Sequence, residues 1–334
     1  MPTETNAIQQ LSTVEVDNFN KDALKKLKPY FDLELSKCSV ADCEQWFFNL
    51  LTLARHSVGI AHCVQHNALA RVSMEIGFQN CEVPEFYKNA WNDTIGCYSG
   101  LKLMDTLSIE NNLVSGSKGW ISNLHQADYG IFQIPHNDSL AYVLFDLSDS
   151  GCARQPSPAQ IGLEIACAGM LTVNKLPIPK GYILGYRSAT DNEPGLSYVS
   201  NLAGYTFITN YLGLIQALFC ELENYCYNKP SAPLPALDRL RLEIATLNML
   251  WQDNLPSVHV QTYTDHFWHR RNTQYVKSKT VLIELINLTL QTTDNSWTVN
   301  HGQSNQRFRD ALVFCMHQQS LHKNLQNQHF FTLG

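Results

Sequence analysis

The stretch that decides the fold is Val114-Ser-Gly-Ser-Lys-Gly-Trp-Ile-Ser-Asn123, which is followed shortly by Ala127-Asp-Tyr129. It lies in a region, from about residue 95 to 190, where short β-rich runs such as 129–134 and 141–145 alternate with turn-forming residues. This texture is typical of an antiparallel sheet domain. We therefore predict a central β domain over residues 93–190.

Helical periodicity surrounds this region on both sides. Upstream, apolar residues recur every three or four positions from Trp46 to Ala54, with Asp42 expected to cap the helix, and a second helix is predicted from Ala61 to Gly77. Downstream, four helical blocks cover about 197–227, 237–253, 273–292 and 306–327. The prediction is an α+β protein with N-terminal helices over 1–92 and a four-helix bundle over 191–334.

Composition narrows the functional classes. The 334 residues carry a net charge of −6 and no basic block, which argues against nucleic acid as the main partner. No run of about 18 apolar residues predicts a membrane span, and the N-terminus lacks the layout of a signal peptide. The ten cysteines include no CxxC pair, which favours reduced thiols in a cytoplasmic protein, and no metal site is predicted.

The stretch 114–123 resembles the central β-domain signature of the acyl-CoA dehydrogenase superfamily, in which "NG-x-K-x-W-I-T/S-N" is followed by "A-D". Three further segments are similar to family motifs and occur in the same order along the chain. They are the helix 59–77 with His66-Asn67, the segment 171–185 ending in Pro179 and Gly185, and Gln306-Arg-Phe-Arg-Asp-Ala311. The resemblance extends over about residues 40–325 and implies the acyl-CoA dehydrogenase-like fold, with a shortened N-terminal helical domain.

The resemblance also implies FAD as the cofactor. Trp120 and Ile121 would pack near the isoalloxazine ring, and Ser122 would form a hydrogen bond with the ring edge. A flat apolar face and one neutral donor suit a flavin, because they shield the ring and tune its electronics. Lys229 stands where the family has the arginine that contacts the FAD diphosphate of a neighbouring subunit, and it keeps the charge without the bidentate fork.

Several family motifs are altered. The flavin loop "T-E-P-x-x-G-S-D" corresponds to Thr94-Ile-Gly-Cys-Tyr-Ser-Gly100, and the "Q-x-x-G-G-x-G-Y" loop corresponds to 293–299, which has no paired glycines. The usual catalytic glutamate, eight residues after Asp310, is replaced by Gln318, an amide that is a poor base. His317 fits the position of a histidine in the family's flavin monooxygenases and is the predicted catalytic base.

Two hypotheses from different classes follow. The first is a divergent flavin-dependent oxidoreductase that acts on an acyl thioester or a related small molecule, by dehydrogenation or as a monooxygenase. The second is a flavin-free or non-catalytic partner subunit with the same fold. We also expect a homodimer or homotetramer, since the apolar stripe from Leu237 to Trp251 is larger than one helix face of a monomer needs.

Overall fold

Helices lie on both sides of the β domain in the computed structural model. It describes residues 19–31, 38–79, 94–102, 104–137, 139–156, 162–178, 182–188, 196–227, 229, 233–258, 265–293 and 304–315. Before the β domain lie α1 (Lys21–Phe31), α2 (Val40–His56) and α3 (Val58–Gly77). After it come α4 (Leu196–Cys226), α5 (Leu234–Val258), α6 (Asp265–Thr292) and α7 (residues 304–315).

Two four-stranded sheets lie between the helical regions. The first has the strand order β1 (Gly96–Ser99), β4 (Tyr129–His136), β5 (Ser139–Asp146) and β8 (Ile183–Ser188). The second has the order β2 (Ser108–Glu110), β3 (Leu113–Ile121), β7 (Gly169–Pro177) and β6 (Cys152–Pro156). The described ladders are antiparallel except β1 with β4, which is parallel. The predicted α+β fold class is confirmed, with this one departure in the sheet.

Alternation along the first sheet divides the interior into two cores. In β1, β4 and β5, Tyr98, Ile131 and Leu144 join the helical core, whereas their neighbours Cys97, Phe132 and Val143 pack between the two sheets. Side chains of a strand point to opposite faces in turn, so one sheet serves both cores. β1 therefore lies at the junction between the helices and the second sheet.

The start of α2 differs from the sequence prediction. Asp42 was expected to cap this helix, but the N-cap is Ser39, whose hydroxyl accepts a hydrogen bond from the Asp42 N–H at 3.1 Å. The Asp42 carboxylate in turn accepts from the Ser39 N–H at 3.0 Å. The pair forms a capping box, which satisfies two backbone donors at the helix start.

The apolar stripe of α5 packs inside the chain. Leu237, Leu240, Ile244, Leu247 and Trp251 are all buried, with at most 8% of any of them exposed. The reasoning that this stripe is a surplus left for a second subunit is therefore wrong, because the neighbouring helices of the same chain cover it. Within the described residues, α4 contributes the one segment long and apolar enough to cross a membrane, Leu202–Cys226. Since 72% of its most apolar window is buried inside the fold, it is accounted for as a core helix.

Candidate functional site

The end of β3 presents a tryptophan in an unusual backbone conformation. The ladder to β7 shifts register between Lys118 and Ile121, and Trp120 within this bulge has φ +53° and a side chain that is half exposed. A Cβ added at the adjacent Gly119 would meet nothing within 4 Å. Large side chains rarely adopt the left-handed region, and such strain is typical of functional positions. The bulge thus directs one aromatic ring outward beside open space.

The two residues that follow Trp120 in the motif lie deeper. Ile121 is fully buried and packs in the core between the sheets, and Ser122 is 5% exposed. Of the three motif residues that the resemblance assigns to the flavin, Trp120 alone has a large accessible surface. The roles predicted for Ile121 and Ser122 stay predictions.

β1 is held in place from both sides through its backbone. The side-chain oxygen of Asn67 on α3 accepts a hydrogen bond from the Gly96 N–H at 2.8 Å, and the Asn123 amide donates to the Gly96 carbonyl at 3.1 Å. A Cβ at Gly96 would come within 2.5 Å of the Tyr129 ring, so the strand requires glycine there. The retained motif residues Asn67 and Asn123 therefore fix the strand that corresponds to the altered flavin loop.

Two histidines on α3 form a buried chain that starts at β1. The His66 Nδ1 atom lies 2.5 Å from the Tyr98 carbonyl oxygen, and its Nε2 atom lies 3.2 Å from Nε2 of His62. A carbonyl only accepts, so His66 carries its proton on Nδ1, and its Nε2 accepts from the N–H of His62. This assignment leaves Nδ1 of His62 as the basic nitrogen at the end of the histidine pair.

The electrostatics of the site keep His66 neutral. Burial lowers its pKa to about 4, the nearby positive charge of Lys102 lowers it further, and the hydrogen bond with the Tyr98 carbonyl opposes the shift. Neutral His66 fixes both the tautomer and the orientation of His62, in the way that a second residue orients a catalytic histidine.

Aromatic rings and amides surround His62, whose Nδ1 is the basic end of the histidine pair. The His62 ring lies 5.2 Å from the Phe207 ring of α4 and 5.8 Å from the Phe314 ring of α7. One turn from His62, the Asn210 amide donates to the Gln65 side-chain oxygen at 2.6 Å, and both side chains are fully buried. The Gln65 nitrogen and the Asn210 oxygen have no partner among the described residues. The interior around His62, between α3, α4 and α7, is therefore aromatic and polar.

The other predicted site residues lie elsewhere. Lys229, just after α4, is exposed, and its ammonium lies 3.6 Å from the centre of the Tyr225 ring. His317 and Gln318 lie outside the described residues, as do the final residues of the predicted last helix. The described part of that helix ends at residue 315, shortly after Phe314, which contacts His62.

The sequence alone does not identify His62 and His66 as a functional pair. Their spacing of four positions places them on one helix face. The spacing does not reveal the contact with the Tyr98 carbonyl, which is distant in sequence and fixes the tautomer. Lys102 and Asp105 gave no motif signal at all, although both lie against the bulge of β3.

Comparisons with known proteins give a structural match without a sequence match. No protein-family model matches the chain, and no curated protein matches it in sequence. The fold is similar to butyryl-CoA dehydrogenase from Megasphaera elsdenii, with a TM-score of 0.75 at 12% identity over 100% of this chain and 99% of that one.

Two further solved structures have similar TM-scores. Dibenzothiophene monooxygenase TdsC from Paenibacillus sp. A11-2 has a TM-score of 0.74 at 13% identity, over 98% of this chain and 95% of that one. KijD3, solved in complex with FMN and a dTDP-linked amino keto sugar, has a TM-score of 0.69 at 13% identity, over 94% and 91% of the two chains. The predicted acyl-CoA dehydrogenase fold is confirmed.

Proposed function

We propose that the protein is a flavin-dependent oxidoreductase and that its flavin ring lies against the Trp120 bulge. The observation that carries the proposal is the half-exposed Trp120 ring, held in a left-handed backbone conformation beside the open face of Gly119. Structures of this fold have been solved with FMN and with FADH2. A flat apolar ring next to open space fits a planar cofactor. When bound, the flavin supplies two-electron redox chemistry.

In this proposal the cofactor is FAD, and the Lys229 ammonium binds its diphosphate. Lys229 is exposed on the loop after α4, where its ammonium rests on the Tyr225 ring. The cation–π contact restrains the side chain without neutralising its charge, so the ammonium keeps its attraction for a phosphate. A single lysine grips a diphosphate less specifically than an arginine does.

His62 is the proton acceptor that the described residues support. Its tautomer is fixed by His66 and the Tyr98 carbonyl, and its Nδ1 atom is the basic end of the chain. The most deeply buried acids of the described residues are already bonded, Asp310 to the Leu163 N–H and to Gln306, and Asp105 to Lys118. A histidine suits the deprotonation of an O–H or N–H group at neutral pH. His317, predicted from the sequence, would be a second base on the last helix.

The interior next to His62 favours a small polar substrate. Gln65 and Asn210 leave one donor and one acceptor unmatched in a fully buried position, and this count is unchanged if both amides are turned over. Unmatched buried groups are costly next to an aliphatic chain. The site therefore suits a neutral aromatic or other polar molecule better than the long acyl chain of a thioester.

A second copy of the chain covers the outer face of the bundle. Five exposed apolar residues of α5 and α6 recur at intervals of seven: Leu242 and Met249 on α5, and Val276, Ile283 and Leu290 on α6. The Arg239–Glu284 ion pair and the Asn254–Gln274 hydrogen bond show that the two helices run antiparallel side by side. Exposed apolar stripes of this kind mark association surfaces, and we propose a homodimer or homotetramer built on this face.

The test of the proposed function is flavin uptake. The purified protein, mixed with FAD or FMN and passed through a desalting column, should retain flavin and show its two absorption bands. Trp120→Ala should weaken retention, because it removes the exposed ring, whereas Trp251→Phe, changed in the core, serves as a control for effects on folding. A wild-type protein that retains neither flavin refutes the proposal and favours the non-catalytic partner subunit.

A further inference from the structure

Two lysines link the end of β3 with the segment 100–105 that follows β1, and both bind close to the Trp120 bulge. Lys118 on β3 donates to the Gly100 carbonyl just after β1 at 2.7 Å and forms an ion pair with Asp105. Lys102, from the segment after β1, donates to the Gly119 carbonyl at 2.9 Å and to the Trp120 carbonyl. Each ammonium thus binds backbone atoms of the other segment. The two lysines and Asp105 are called the lysine clamp below.

The lysine clamp carries more positive than negative charge. Lys118 is fully buried, and the single Asp105 carboxylate is committed to its ammonium and to the Lys102 backbone N–H at 2.8 Å. Lys102 has no carboxylate within ion-pair distance among the described residues, and its ammonium is bonded to two carbonyl oxygens instead. Burying an unpaired ammonium is expensive. A neutral hydrogen-bond donor would link the two segments with a smaller desolvation free energy. We therefore look for a function of the extra charge.

We propose that Lys102 is a positioning residue for the flavin: it holds the Trp120 backbone in its left-handed conformation, and its unpaired charge stabilises the reduced flavin relative to the oxidised one. This inference rests on the proposed flavin site at Trp120. Reduction of the neutral ring by two electrons and one proton leaves one negative charge on the ring. A positive charge close to the ring favours that state and raises the reduction potential.

The charge of Lys102 changes within the physiological pH range. Burial lowers its pKa to about 7, repulsion from Lys118 lowers it further, and attraction to Asp105 opposes the shift. The groups that face it are Lys118 on β3, Asp105 on its own segment and His66 on α3, whose pKa it lowers in turn. The stabilisation of the reduced flavin should therefore be lost as the pH rises through about 7.

The experiment measures the midpoint potential of the bound flavin against pH in wild type, Lys102→Met and Lys102→Arg, with Lys26→Met as the control on an exposed site of α1. Below pH 7, Lys102→Met should bind the reduced flavin about tenfold more weakly relative to the oxidised flavin. That change lowers a two-electron potential by about 30 mV. Lys102→Arg should match the wild-type potential below pH 7. Above pH 7 its potential should be higher than that of wild type at the same pH, because the guanidinium stays protonated.

A second readout does not need the flavin. In flavin-free protein, acrylamide quenching of the Trp120 signal, obtained as the difference from a Trp120→Phe protein, should change in Lys102→Met and be restored in Lys102→Arg. Potentials that agree in all three proteins at every pH overturn the inference while leaving the flavin site intact. A wild-type protein that binds no flavin removes the proposed function, and this inference falls with it. If Lys102→Met does not fold, the wild-type and Lys102→Arg profiles decide, since coincident profiles refute the inference.

Discussion

Replacing Asp310 by asparagine should remove a cost of burial that depends on pH. Asp310 lies on α7 with 2% of its surface exposed, and its Oδ1 accepts hydrogen bonds from the Leu163 N–H at 2.7 Å and from Gln306 at 2.8 Å. Burial nevertheless raises its pKa from 3.8 to about 6, against these bonds and the charges of Arg309 and Arg307. The fold therefore prefers the protonated, neutral acid.

The size of the effect follows from the two pKa values. A group whose pKa is higher in the folded state contributes stability that is fully present below the unfolded value and lost as the pH rises through the folded value. For Asp310 that window runs from 3.8 to about 6, and the loss is about 3 kcal/mol. Asparagine is neutral throughout and keeps an oxygen for the Leu163 N–H, so it lacks this loss.

His66 produces a slope of opposite sign in the same window. Its pKa is lowered from 6.5 to about 4, so its contribution is present above 6.5 and is lost as the pH falls through about 4, again by about 3 kcal/mol. In wild type the two contributions largely cancel. Asp310→Asn should therefore expose the His66 slope, and stability should rise from pH 4 to 6.5 by about 3 kcal/mol more than in wild type.

Urea unfolding followed by tryptophan fluorescence at half-unit steps of pH tests this reasoning. The quantity to plot is the unfolding free energy of Asp310→Asn minus that of wild type, which cancels groups common to both proteins. Asp253→Asn, on the exposed face of α5, is the matched control for an Asp-to-Asn change. A flat difference for Asp310→Asn would show that the carboxylate is not buried in the way described.

Three further predictions concern the site and the assembly. His62→Gln should lower the turnover of any substrate on the order of a hundredfold, with His136→Gln near wild type; equal losses in both would exclude a specific base. Lys229→Met should weaken FAD about tenfold in equilibrium dialysis but leave FMN, which lacks the diphosphate, almost unchanged; equal losses would contradict the assignment. Ile283→Glu should convert the oligomer to a monomer in sedimentation, whereas an equally exposed Val40→Glu should not; a wild-type monomer would count against the association surface.

The sequence was sufficient for the fold because the matching segments carry constraints that are local. The bulged strand that ends in Trp120, the α3 residues His66 and Asn67, and the segment around Asp310 each occupy a defined backbone context. The start of α2 shows where local reasoning was incomplete. Asp42 was a plausible cap, but Ser39 three residues earlier completes the capping box, a signature that could have been found in the sequence.

The site itself depended on distances that no local pattern encodes. The basic end of the histidine chain follows from a contact between α3 and the Tyr98 carbonyl, and the charge excess of the lysine clamp follows from Lys102 and Lys118 meeting across two segments. The apolar stripe of α5 that was predicted to face a second subunit is buried inside the chain. Helical periodicity identifies an apolar stripe, but whether the same chain or another one covers it depends on the packing of α5 against its neighbours.

The way β1 is held explains how the fold persists while the flavin-loop motif is altered. Asn67 and Asn123 bind the N–H and the carbonyl of Gly96, and His66 binds the carbonyl of Tyr98. These bonds end on backbone atoms, so they place few demands on the side chains of the strand beyond the glycine that the Tyr129 ring requires. The residues after β1 are then free to differ, and here they supply Lys102. Because His66 and Lys102 are both tied to this strand and its continuation, a change in the charge of one alters the proton affinity of the other. The residue that orients the proposed base is thereby coupled to the proposed flavin surface.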